Sequence, residues 1–258
     1  MDDLIKSIIA AITGGVLWEG FKFIYPELKR FLDNYYKAKK NLYDNLDPML
    51  KASDELFGKI ISLAKEDFST FINENNSIAS DVSQNRLYVC YLFSQFWAQI
   101  EYIRMSSQYY SLARIKKGKQ LLRFIETYES REFRLLDRSI QRIIGETLIE
   151  DSGGTFKIMS LSTFANETQK KDSNLNKWIK LLEDKLNSSS DKVIRQRFLV
   201  FGIIVACLIE HYDPKYKIVR KREIYLNKLS EKSNTKIQKS LFTEYLNFVK
   251  NKNKYFKQ

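Results

Sequence analysis

Two uncharged apolar runs of equal length constrain the fold of this chain most. Ser7–Trp18 lies between Lys6 and Glu19, and Phe198–Ile209 lies between Arg197 and Glu210. Twelve residues form about 18 Å of helix, which is shorter than the roughly 30 Å hydrocarbon core of a bilayer. The first run becomes long enough to span only if Glu19 and Lys22, which are spaced to pair on one helix face, are admitted to it.

Residues 1–25 carry three features typical of a helix that works at a membrane. Small residues four apart form a seam that permits close helix packing in lipid, aromatic residues gather at one end, and a basic segment follows. A terminal helix docked on the chain's own core, or on another protein, remains an alternative. The predicted packing residues are Ala10, Ala11, Gly14 and Gly15, and the predicted membrane-binding residues are Ile8, Ile9, Ile12, Val16, Leu17, Trp18 and Phe21.

The rest of the chain predicts long helices. Only 3 Pro and 9 Gly interrupt 258 residues, and strand-type alternation is nearly absent. We therefore expect an all-α fold, with one multi-helix domain over residues 26–258 and a distinct apolar N-terminal helix over residues 1–25. No internal repeat or heptad series stands out.

Prolines mark the expected helix boundaries near the N-terminus. Pro26 predicts the start of a helix that ends before Asp47-Pro48, with Leu28, Phe31, Leu32, Tyr35 and Leu42 on its buried face. Further along, a central helix is expected from Arg86 to about Ser107. Phe198–Ile209 has no small-residue seam and no aromatic end, so it predicts a second core helix.

The net charge of +12 favours polyanions, either phosphate backbones or anionic lipid headgroups. The clearest pattern is a set of four arginines spaced to share one face of a helix predicted over Ser130–Ile149, which indicates either a phosphate-binding ridge or a solvated face with pairs such as Arg142 to Glu146. The arginine ridge is Arg131, Arg134, Arg138 and Arg142, and the other predicted anion-binding residues are Arg114, Lys116, Lys117, Lys119, Lys215, Lys217, Arg220, Lys221 and Arg222.

Residues suited to catalysis or metal binding are scarce. His211 is the single histidine and is expected in the last turn of a helix, where the helix dipole favours its charge. Cys90 and Cys207 lie in apolar runs and predict buried free thiols of a reducing compartment. We expect no metal, no cofactor and no enzymatic activity; an enzyme using carboxylates such as Glu146 and Asp137 is the remaining alternative.

These observations predict a membrane-associated helical effector or recruitment protein at the inner face of the membrane, which binds anionic phospholipid headgroups through its basic faces. The layout of a short glycine-containing apolar segment joined to a basic helical domain resembles the membrane effectors of prokaryotic cell-suicide immunity, including those paired with short Argonaute proteins. The resemblance covers layout, and it implies a protein partner that senses infection. The alternative is a nucleic-acid-binding or adaptor subunit of a larger complex. A homo-oligomer is compatible with either.

Overall fold

Helices dominate the structure, a computed structural model that describes residues 2–72, 79–105, 109–151, 153, 156–170 and 172–257. Within these ranges, the side chains of residues 2–21, 23, 72, 79–83, 109 and 110 are not described. The α-helices are α1 (Asp2–Lys65), α2 (Ser69–Ile72), α3 (Ala79–Met105), α4 (Tyr109–Leu112), α5 (Lys116–Glu129), α6 (Arg138–Thr147), α7 (Leu161–Gln169), α8 (Asn174–Asn187), α9 (Lys192–Tyr212) and α10 (Glu231–Lys236).

Other elements are short. Strands β1 (Ile149–Asp151) and β2 (Phe156–Ile158) pair antiparallel, with Ile149 opposite Ile158. A π-helical segment, Ile237–Tyr245, continues α10, and 3₁₀ turns cover Ser188–Ser190, Leu226–Lys228 and Lys252–Tyr255. The expected all-α class is confirmed.

Helix α1 runs unbroken through Pro26 and Pro48. The predicted helix start at Pro26 and the predicted break at Asp47-Pro48 are therefore wrong, and the boundary placed at residue 25 coincides with no helix end. Burial explains why the chain stays helical at Pro48, since Leu46, Met49 and Leu50 on either side of it are buried in the core. Their burial outweighs the lost hydrogen bond and the ring clash of an interior proline.

Aromatic side chains join three helices at the centre of the core. Phe93 of α3 contacts Phe198 and Phe201 of α9, with ring centroids 5.6 and 5.8 Å apart. Phe96 of α3 packs edge-on against Tyr128 of α5 at 4.9 Å. All of Phe198–Ile209 is buried, so its assignment to the core is confirmed.

Helix α1 approaches α9 closely at Gly202. A Cβ at this position would lie 2.0 Å from the Tyr225 hydroxyl and 2.9 Å from Cγ2 of Ile60 in α1. The Tyr225 hydroxyl fills the space that a side chain would take and donates to the Leu199 carbonyl at 2.9 Å. Glycine at this position therefore lets the second half of α1 pack directly on α9.

The predicted helix over Ser130–Ile149 is wrong in its first part. Helix α5 ends at Glu129, residues 130–137 form turns, and α6 begins at Arg138. The buried Gln141 side chain stabilises these turns, because its Oε1 accepts the backbone N–H groups of Leu135 and Leu136 at 3.0 and 3.1 Å. These bonds replace the helical bonds that the turn residues give up.

Candidate functional site

Residues 22–37 of α1 lie outside the core. From residue 22 to residue 37, every described side chain is exposed except that of Asn34, which is half-buried. We call residues 22–37 the α1 extension. Its apolar side chains are well exposed: Phe31 is 67% and Ile24 65% accessible, and Leu28, Leu32, Tyr35 and Tyr36 range from 43 to 63%. Of the residues predicted to form the buried face here, only Leu42 is buried, so that prediction is wrong for Leu28, Phe31, Leu32 and Tyr35.

The exposed face of the α1 extension continues the buried face of the same helix. Apolar residues recur at spacings of three, four or seven, and from Tyr25 onward the series passes from exposed to buried positions without a change of register. It comprises Trp18, Phe21, Tyr25, Leu28, Leu32, Tyr35, then Leu42, Leu46, Met49, and later Leu56, Ile60 and Leu63. This spacing is readable from the sequence; the expected helix breaks at Pro26 and Pro48 concealed it. Only the structure shows which part of it the domain covers.

Cations accompany this apolar face. Residues 22–40 contain six Lys or Arg side chains and two acidic ones. At about 100° per residue, Lys22, Lys29 and Lys40 fall along one edge of the face. Lys39 falls within the face itself and is exposed. The extension is therefore a basic amphipathic helix whose apolar side is not covered by the rest of the described chain.

The residues predicted to insert into a membrane lie further toward the N-terminus. Their backbone belongs to α1, but the side chains lie outside the described part of the chain: the seam Ala10, Ala11, Gly14 and Gly15, and the predicted membrane-binding residues Ile8, Ile9, Ile12, Val16, Leu17, Trp18 and Phe21. Across the described residues, no helix combines the length and the apolar character that crossing a bilayer requires.

Two members of the predicted arginine ridge converge on a buried carboxylate. Glu129, at the end of α5, lies 3.0 Å from Nε of Arg138 and 2.9 Å from Nε of Arg142, and Arg104 of α3 contacts it at 2.6 Å. Burial alone would raise the pKa of Glu129, but hydrogen bonds from Arg142 and Arg104 outweigh it and hold the pKa below its ordinary value.

The four arginines do not form a ridge on one helix. Arg131 and Arg134 lie in the turns before α6, and Arg134 pairs with Asp137. Arg142 makes a bidentate pair with the buried Glu129, whereas the solvated-face alternative expected it to pair with Glu146. The two helical arginines thus tie α6 to α5, which is a structural use of their charge.

The remaining basic residues are mostly exposed. Arg114, Lys116, Lys117 and Lys119 surround the start of α5, and Lys116 and Lys119 line an open groove of about 440 Å³. In the later basic segment, Lys215, Lys217, Arg220 and Lys221 are exposed. Arg222 differs, because its guanidinium makes a two-pronged pair with Asp54 of α1 at 2.7 and 2.9 Å.

His211 lies in the last turn of α9, as predicted. Burial lowers its pKa to about 4, with a further contribution from Lys117 and Lys250. The ring is therefore neutral at pH 7, and the predicted stabilisation of a charged imidazole by the helix dipole does not operate. Its Nε2 lies 3.1 Å from Oε1 of Gln120.

Neither thiol offers a nucleophile, since Cys90 and Cys207 are buried and unpaired and burial raises the pKa of both. The described residues contain no group of three or more His, Cys, Asp or Glu side chains placed to hold a metal ion.

Comparison with known proteins assigns no relative: no protein-family model, curated protein or solved structure matches the chain. The layout-level resemblance to prokaryotic immunity effectors stays a prediction.

Proposed function

We propose that this protein is a non-enzymatic recruitment or effector protein that attaches to anionic membrane surfaces through the α1 extension. The observation that carries the proposal is the exposed apolar face of residues 24–36, flanked by lysines on a helix that the folded domain holds in place. Amphipathic helices of this kind lie in the interface plane, with the apolar side toward the acyl chains and the cations at the headgroups. The same helix would present residues 2–21 to the membrane.

Lys39 favours a lipid surface over a second copy of the chain as the occupant of this face. It takes a place within the apolar series, between Tyr35 and Leu42. In a helix bundle, a lysine at such a position must be desolvated or must find a carboxylate partner. At a membrane its long stem lies along the apolar surface while the ammonium reaches the phosphates.

Charge adds to the apolar contribution. Each Lys or Arg near an anionic surface contributes about 1 kcal/mol to binding. Exposed cations that can contribute in this way lie within residues 22–40, 114–119 and 215–221. Two signals of this kind, apolar insertion and a basic patch, are what stable attachment requires. We also propose that a protein partner triggers this attachment in prokaryotic defence, which is what the resemblance in layout implies.

Vesicle flotation tests the attachment. Full-length protein should float with vesicles of phosphatidylglycerol and phosphatidylcholine, and less with phosphatidylcholine alone. The double variant Leu28→Asp/Phe31→Asp should lose at least tenfold in partitioning, because each change removes about 1 kcal/mol or more of apolar transfer and adds a repelled charge. Leu181→Asp is the matched control, since Leu181 of α8 is also partly exposed but lies far along the chain from the extension.

Two results would overturn the proposal. One is equal flotation of the double variant and the wild type. The other is absence of flotation together with an oligomer that the double variant converts to a monomer in light scattering, since the apolar face would then be covered by a second copy. Titration with a nucleic acid duplex over a salt series runs in parallel, and steep salt-dependent binding without vesicle binding would establish the alternative adaptor function instead.

A further inference from the structure

A cleft of about 480 Å³ lies on the domain, apart from the α1 extension. Three segments enclose it: the turn at Glu132 and Phe133, the first turns of α9, and the stretch that contains α10. Gln196 of α9 holds the segment before α10 against α9, because its Nε2 donates to the Lys228 carbonyl and its Oε1 accepts from the Ser230 N–H, both at 2.8 Å. The volume is within the range of small-molecule sites, and these hydrogen bonds preform it.

The floor of the cleft is apolar. Phe133 and Val200 line it and are buried, while Val193 on the first turn of α9 is 65% exposed at its mouth. Lys236 lies over the ring of Phe133, with its Nζ 4.8 Å from the ring centroid. An apolar or aromatic body therefore has a surface to rest on directly beside a cation.

Cations outnumber acids around this floor. Lys192, Arg197, Lys232 and Lys236 line the cleft together with Glu132 and Glu231. Glu132 is already used within the protein, since the Ser240 hydroxyl donates to its Oε2 at 2.7 Å and Lys236 lies 4.0 Å from its Oε1.

The other cations of the cleft are not neutralised in this way. Within the described part of the chain, Lys192, Arg197 and Lys232 make no ion pair or hydrogen bond through their side chains. Burial lowers the pKa of Lys236, and Arg197 and Lys232 lower it further against the opposing effect of Glu132. Arg197 and Lys232 thus lie close enough to Lys236 to act on its charge, and the cleft lining as a whole carries four cations and two acids.

We infer that this cleft binds a phosphomonoester, with the phosphate held by Arg197, Lys232 and Lys192 and the organic group resting on Phe133, Val200 and Val193. Arginine and lysine are the side chains suited to phosphate oxygens, and the apolar floor distinguishes an organic phosphate from the free ion. The phosphomonoester could be a soluble metabolite or the headgroup of phosphatidic acid. The inference does not rest on the membrane attachment proposed above, because no residue of the α1 extension lines the cleft.

Calorimetric titration of the full-length protein tests the site with phenyl phosphate as the probe. Phenyl phosphate should bind at least tenfold more tightly than inorganic phosphate or phenol. Arg197→Gln and Val193→Glu should each weaken it at least tenfold, while Lys239→Gln, which removes an exposed cation outside the cleft lining, should change it less than twofold. Val193 is exposed, so its substitution preserves packing, and thermal melts verify folding of each variant.

The vesicle arm identifies the source of the phosphate. Phosphatidic acid vesicles that displace phenyl phosphate indicate a lipid headgroup, and phosphatidic acid vesicles that do not displace it indicate a soluble phosphomonoester. The inference is overturned if phenyl phosphate binds no better than inorganic phosphate, or if folded Arg197→Gln and Val193→Glu bind it as the wild type does. Either failure would leave flotation through the α1 extension unchanged.

Discussion

Pro48 interrupts the hydrogen bonding of α1 at an exposed position within the folded domain, so its replacement by alanine should stabilise the protein. The helix continues on both sides, and the flanking Leu46, Met49 and Leu50 are buried. Proline in a helix interior is about 3 kcal/mol less favourable than alanine, because it lacks an N–H and its ring clashes with the carbonyl four residues back. Local relaxation around the proline lowers the recoverable part of this difference, so the expected gain is about 1–3 kcal/mol.

The gain is measurable by thermal and urea unfolding followed by circular dichroism. At roughly 2–4 °C per kcal/mol for a domain of this size, Pro48→Ala should raise the Tm by about 2–12 °C with an unchanged urea m-value. Pro48→Gly should gain about 1 kcal/mol less than Pro48→Ala. Pro26→Ala is the matched control: Pro26 lies in the α1 extension, outside the core, and its replacement should shift domain unfolding by less than about 0.5 kcal/mol.

The reasoning would be refuted if Pro48→Ala and Pro48→Gly both lowered the stability. Proline stabilises a turn by restricting the unfolded chain, so both substitutions would then be unfavourable. That result would restore the helix break that Asp47-Pro48 predicts from the sequence.

Two further predictions concern buried carboxylates. Glu129→Gln should lower the free energy of unfolding by about 3 kcal/mol, because Arg104, Arg138 and Arg142 lose the buried carboxylate that they share. The control Glu126→Gln, on the same helix, removes only an exposed pair with Arg123 and should cost less than about 0.5 kcal/mol. Equal effects of the two variants in urea unfolding would contradict this expectation. For Asp213, burial opposes the charge, but backbone N–H groups of Lys217, Ile218 and Val219 at 2.7–3.1 Å outweigh it and lower the pKa. The ionised Asp213 carboxylate therefore stabilises the fold fully above the unfolded-state pKa of about 4, and this stabilisation is lost as the pH falls below that value. The difference in unfolding free energy between the wild type and Asp213→Asn should stay constant from about pH 7 to 5 and shrink below about pH 4.

Segments whose own composition determines their environment were predictable from the sequence. Phe198–Ile209 is apolar on every side, so it can only be stable when surrounded, and α9 is indeed buried throughout this run. The buried free thiols follow from the same principle, since Cys207 lies within the run and Cys90 within the apolar part of α3. Local pattern and tertiary position agree in these places.

Predictions failed where a side-chain contact that periodicity does not reveal decides the local structure. The side chain of Gln141 satisfies the N–H groups of Leu135 and Leu136, only six and five residues away, but the spacing of apolar and basic residues carries no sign of these bonds, so the arginine spacing indicated a longer helix than exists. Likewise, the spacing of Leu28, Leu32 and Tyr35 is that of a buried helix face. Whether another element covers such a face depends on how far the domain extends along α1, and periodicity carries no information about that.

Because α1 is continuous, its packing in the core determines which face the α1 extension presents at the proposed attachment site. Because the exposed and buried apolar residues belong to one series on one helix, the face that the extension presents is fixed by the way Leu42–Leu63 packs on α3 and α9. Gly202 and Tyr225 set the closeness of that packing, and the Arg222–Asp54 pair ties the basic segment after α9 to the same helix. A surface that engages the extension therefore also fixes the orientation of the domain and of its basic patches, without any additional contact.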